Sequence, residues 1–114
     1  MIFGFAEDGL LTVYADLAHV QRDCEGIDVE SGVYVFYAED GNWLRPRFVE
    51  PNQQGGLGWF RWVHSGRYVL EPATPPPGVD PIEVALAECG GIEPNPRFAD
   101  LEAVRAHIAA RRAP

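Results

Sequence analysis

Lysine is absent from these 114 residues, methionine occurs once and cysteine twice. All nine cations are arginine, set against seventeen Asp and Glu, for a formal net charge of −8. Duplex phosphate is repelled by a surface of that sign, which argues against nucleic acid as a main ligand. No apolar run approaches the ~20 residues needed to cross a bilayer. Met1-Ile2-Phe3-Gly4-Phe5 lacks the cationic start and apolar stretch of a signal peptide. The expectation is a cytoplasmic chain without a membrane partner, in which Cys24 and Cys89 stay as free thiols.

What is present suits one folded unit. The hydrophobic share is 46% and the charged share 23%, close enough to globular averages to exclude wholesale disorder or a coiled coil. A chain of this length buries roughly two-thirds of its unfolded surface in one core. The expected layout is a single domain over 1–114, with a strand-rich part at 1–71, a proline-rich connector at 72–81 and a helical tail at 82–112.

Residues 2–6 and 10–14 alternate as strands around the turn Glu7-Asp8-Gly9. Asp16 reads as a helix N-cap, with Leu17, Val20 and Cys24 on one apolar face over 16–24. The segment 25–32 is polar enough to predict a loop. Val33-Tyr34-Val35-Phe36-Tyr37 is apolar on both faces and predicts a central strand, which the turn Glu39-Asp40-Gly41-Asn42 returns as 43–50. Pro46 cannot donate to a ladder and predicts an edge or a bulge there. Residues 51–58 read as a flexible glycine-rich loop, and 59–63 with 67–71 as a second hairpin.

Five prolines over 72–81 predict a stiff extended strap. Asp80-Pro81-Ile82-Glu83 has capping-box spacing for a helix over 81–89, which Gly90-Gly91 ends. Asp100 caps a last helix over 100–112, with arginines at its C-terminus. The predicted fold is α+β: a mainly antiparallel sheet of four to six strands and three helices. The two C-terminal helices pack on one face, and an aromatic–arginine strip occupies the other.

No catalytic constellation stands out, and no catalytic residue is assigned. Cys24 lies between Asp23 and Glu25 near a helix C-terminus, and Cys89 follows Glu88 at another; both settings disfavour a thiolate. His19 and Cys24, five apart, are turned about 140° from each other on a helix. His19, His64 and His107 share no metal-ligand spacing and read as surface histidines. The acids at 23–30 lack the order of a calcium loop. Gly55-Gly56-Leu57-Gly58 has no following Lys-Ser/Thr of a phosphate cradle, and no Gly-x-Ser-x-Gly occurs. Neither a cofactor nor a metal is expected.

Two surfaces remain as candidates for binding. One is acidic: Asp23, Glu25, Asp28 and Glu30, together with Glu39 and Asp40, in a first half where residues 1–52 hold ten acids and three arginines. The other is aromatic and cationic: Trp43, Arg45 and Arg47 on one strand, Trp59 and Arg61 on the next, residue types favoured at interfaces. The leading expectation is a non-enzymatic protein that offers its acidic loops to a basic protein partner. The alternatives are a small-molecule or enzymatic pocket between sheet and helices, and a homodimer built on the Trp/Arg face.

The stretch Cys24-Glu25-Gly26-Ile27-Asp28-Val29-Glu30-Ser31-Gly32-Val33-Tyr34-Val35-Phe36, with Glu39-Asp40-Gly41, Pro51-Asn52 and Ser65-Gly66-Arg67-Tyr68-Val69-Leu70, resembles a group of small uncharacterised bacterial proteins. The resemblance covers most of 1–72 and the C-terminal helix, and implies no activity, cofactor or catalytic residue. In size, acidity and lack of a catalytic motif the chain is also similar to bacterial immunity proteins, which neutralise toxins by binding; that likeness implies a binding role.

Overall fold

The computed structural model describes residues 1–114. Ile2–Ala6 (β1) and Leu10–Tyr14 (β2) form a hairpin whose turn needs Gly9 at φ +88°, a left-handed conformation that favours glycine. Asp16 caps Leu17–Asp23 (α1) by accepting from the His19 amide at 3.0 Å. The His19 ring, 2.7 Å from the same carboxylate, holds the Asp16 carboxyl below its ordinary range.

The polar loop expected at 25–32 contains a short helix, Gly26–Glu30 (α2). Val29 is its one buried side chain, with Ile27 and Asp28 half-buried and Glu30 exposed, an anchoring that composition alone hides. Tyr34–Ala38 (β3) and Trp43–Glu50 (β4) pair as expected, with Gly41 at φ +85° in the turn between them.

Beyond this point the strands pair differently from expectation. Gln53–Leu57 (β5), expected as loop, pairs with Phe60–His64 (β6) in a separate two-stranded ribbon. Arg67–Pro72 (β7) returns to β4 rather than to β6. The reason is burial: Tyr68 on β7 packs its ring 5.6 Å from Phe48 and donates its hydroxyl to the Cys24 carbonyl at 2.7 Å, whereas every residue of β6 is exposed. Pro46 lies where β4 has β7 on one side and no registered partner on β3, in keeping with the predicted edge.

After the strap, Pro81–Glu88 (α3) begins with proline at its first position, but the capping box does not form. Asp80 turns its carboxylate to Arg112 at 2.7 Å instead, tying the strap to the last helix. Gly91–Ile92 (β8) then adds a two-residue parallel strand to β2, too short to leave a periodic signal. Asp100 caps Leu101–Arg112 (α4) through the Ala103 amide.

The result is an α+β fold with four helices and a mixed six-stranded sheet in the order β7-β4-β3-β1-β2-β8, plus the ribbon. Period-2 alternation divides the sheet into two apolar faces. Phe3, Phe5, Leu11 and Tyr37 meet Ile82, Leu86, Val104 and Ile108 of α3 and α4, as the placement of the C-terminal helices predicts. On the opposite face Tyr14, Phe36 and Tyr68 meet Val20, Cys24 and Val29. This second face, expected to carry the aromatic–arginine strip, is covered by α1 and α2. Gly4 lies beneath the Tyr14 and Phe36 rings, which a Cβ there would strike. No helix is long and apolar enough to cross a membrane.

Candidate functional site

The acids singled out in the sequence separate into two groups. Asp23, Glu25, Asp28 and Glu30 stay together around the α1–α2 corner, with Asp23 against Arg22 and Glu30 accepting from Asn52. Glu39 and Asp40 lie elsewhere and are engaged within the fold. Glu39 is 3.4 Å from Arg111 and from His107 Nε2, the Asp40 carboxylate accepts from the Asn42 amide and Nδ2 at 2.9 Å, and the Asp40 carbonyl accepts from Arg112 at 2.7 Å. They tie the β3–β4 turn to α4 and leave no free acidic loop there.

The aromatic–arginine residues separate as well. Trp43 is half-buried against the α3/α4 core, with Arg45 stacked over its ring at 5.5 Å, and Arg47 is paired with Glu71. Trp59 and Arg61 belong to the ribbon, so the five residues make no common strip.

The ribbon is the most exposed part of the molecule: every residue from Gln53 to Ser65 except Gly55 is exposed. The pairing Leu57↔Phe60 leaves Gly58 and Trp59 as a two-residue tip, with Gly58 at φ +61°. Leu57, Phe60 and Trp62 therefore share one face, and Trp62 lies across Gly55. Leu57 is 85% and Trp59 93% exposed, far beyond what a covered hairpin would show. The Gly-Gly-Leu-Gly run reads as loop and hides Leu57, while period-2 alternation over 59–63 sets Phe60 and Trp62 on the face away from Trp59 and Arg61 and so outside the expected strip. The available signal was Gly58-Trp59 as a two-residue turn between two short runs. A radius of gyration of 15.6 Å, against about 13 Å for a compact chain of this length, accords with a projecting element.

Asn52 sets the root of this ribbon. Its Nδ2 donates to the Gly26 carbonyl at 2.9 Å and to Glu30, and its Oδ1 accepts from the Gly66 amide at 2.7 Å. Gly66 must be glycine, since a Cβ would run into the backbone of Glu50 and Pro51. The acidic corner and the ribbon are thus joined through one side chain. Replacing Asn52 by Ala should cost about 1–3 kcal/mol by leaving partly buried groups unpaired. Denaturant midpoints would measure the loss, and protease cutting within 53–65 should become faster.

Elsewhere Cys24, Cys89 and His107 are packed against the two cores. Burial and the neighbouring Asp23 and Asp28 push the Cys24 thiol up, and its Sγ lies 3.3 Å from the Tyr14 hydroxyl. Cys89 donates its thiol to the carbonyls of Gly9 and Gly91 and lies apart from Cys24, in the other core. His107, expected at the surface, packs edge-on against both Phe3 and Phe98, and its buried Nε2 lies 3.4 Å from the Glu39 carboxylate without the alignment of a hydrogen bond. No three His, Cys, Asp or Glu side chains converge in a metal-binding group. Compared with family models, curated proteins and solved structures, the chain shows no match.

Proposed function

We propose that the protein is a non-catalytic binding protein that grips another polypeptide with the β5–β6 ribbon. The observation that carries this reading is the bare apolar tip of Leu57, Trp59 and Phe60 on a ribbon that pairs with no other strand. Two-stranded ribbons are marginal in water on their own, and aromatic residues in such positions are the usual anchors of interfaces. Beside its root, Glu25, Asp28 and Glu30 supply an acidic shoulder suited to a partner with basic residues. A cytoplasmic setting agrees with two unpaired thiols.

The test is capture with the tagged chain, followed by titration of the purified captured protein. The variant Trp59→Ser/Phe60→Ser should weaken binding about a hundredfold or more, the loss expected for two aromatic anchors. Moderate salt should weaken it several-fold, because exposed charges are screened over roughly 8–10 Å. An identical set of captured proteins with wild type and tip variant would refute the reading.

A further inference from the structure

A second apolar surface lies on the α3 side of the sheet. It is a groove of about 510 Å³, floored by Phe5 and Tyr37 and walled by Val33, Val35, Val79 and Val84. Val35, Val79 and Val84 are exposed although they are large and apolar. Glu7 and Glu88 are the charged residues of its lining, and neither is in an ion pair. The groove therefore favours an apolar body that carries a cation.

The same chain contains such a body. Between Glu50 and Glu71 there is no acid, only Arg61 and Arg67. Arg67 stands on β7, 3.4 Å from Glu50, so the ribbon itself, Gln53–His64, carries +1 through Arg61, and taking it from the total of −8 leaves −9 for the rest. The ribbon is thus a basic, apolar element on an acidic molecule, with Arg61 next to the tip.

Topology places the ribbon and the groove at one end of the sheet. β3 starts at Tyr34, next to the groove residues Gly32 and Val33, and antiparallel β4 ends at that side with Glu50 and leads into the ribbon. Reciprocal contact about a two-fold axis near this end would set each ribbon over the groove of the opposite copy. We propose that two copies of the chain associate by reciprocal exchange, each ribbon inserting Leu57, Trp59 and Phe60 into the partner's groove with Arg61 against Glu7 and Glu88. This rests on the ribbon being the binding element and names its partner as a second copy. Two tips with two aromatics each, at about 150–250 Å² per ring and a matching area on the grooves, come near the roughly 1,600 Å² of a standard interface. Reciprocal contact closes the assembly at two copies.

Light scattering and sedimentation from micromolar to millimolar concentration test this. Wild type should approach twice the 12.6 kDa of one chain. Trp59→Ser/Phe60→Ser removes the plug. Val84→Lys alters the groove at an exposed helix position, where lysine is a good helix former and its charge repels Arg61. Each variant alone should associate about a hundredfold more weakly. Mixed together they should form a 1:1 pair, since one intact ribbon still faces one intact groove. Glu7→Gln/Glu88→Gln should weaken association and reduce its salt dependence. A wild type that stays monomeric at millimolar concentration overturns the proposal, as does a dimer indifferent to Val84→Lys, or masses beyond two copies. If the chain is monomeric yet binds another protein in a tip-dependent way, the exchange fails and the binding role stands. If the tip variant alters neither mass nor capture, both fail.

Discussion

Titration into the alkaline range should unfold the protein cooperatively, with stability level up to about pH 8.5 and falling steeply above about pH 10. The cause is the core beneath α1 and α2, where three acids without charge at neutral pH sit together. Burial pushes the Tyr14 hydroxyl far up, and its contact with Cys24 adds to the shift. Burial is the largest cause raising Tyr68, with Cys24 and Tyr34 beside it adding to the shift, and burial likewise leads for Cys24. Their folded pKa values exceed the unfolded ones, so the folded state binds more protons at high pH and loses stability as pH rises from the unfolded values towards the folded ones. An anion in such a core costs several kcal/mol, which is comparable with the 5–15 kcal/mol that stabilises a small domain. Tyrosinate absorbance and circular dichroism should therefore change together in one transition. Tyrosines that ionise near pH 10 with the fold intact would contradict this account.

Phe3→Ala should cost about 3–5 kcal/mol, the range for emptying a buried aromatic site. Phe3 has no exposed surface and packs its ring 5.8 Å from Phe98 and 6.5 Å from His107, so it joins β1 to the C-terminal helical layer. The surroundings cannot readily collapse into the gap, because β1 is paired on both sides. Chemical denaturation would show the midpoint falling with little change in slope. By contrast, Trp59→Ser should leave the midpoint nearly unchanged, since its side chain is already in water. A small effect of Phe3→Ala would mean that the α3/α4 layer contributes little to stability.

Local physics was legible along most of the chain. The caps Asp16 and Asp100, the proline at the start of α3 and the β3–β4 turn follow from side chains that act on their own neighbours, and they appear where the spacing places them. Asp80 marks the limit of that reasoning: Arg112, 32 residues away, draws its carboxylate from the expected cap. Glu39 and Asp40 show the same limit, since α4 engages both across the molecule.

The candidate site was legible only in part. Trp59 and Arg61 were visible as interface residue types, yet their separation from Trp43, Arg45 and Arg47 depends on which strand β7 chooses. That choice is made by Tyr68, whose burial against Phe48 and the α1 carbonyls is a long-range matter. Once β7 joins β4, the segment between them is excluded from the sheet and has only itself to pair with. Composition and periodicity by themselves determined an acidic α+β chain, its turns, its caps and its apolar faces, because these depend on neighbours within a turn or two. The tertiary structure alone decided the second helical layer, the free-standing ribbon and the groove at the same end of the sheet. Each of these arises from contacts between residues tens of positions apart, which one-dimensional spacing does not encode.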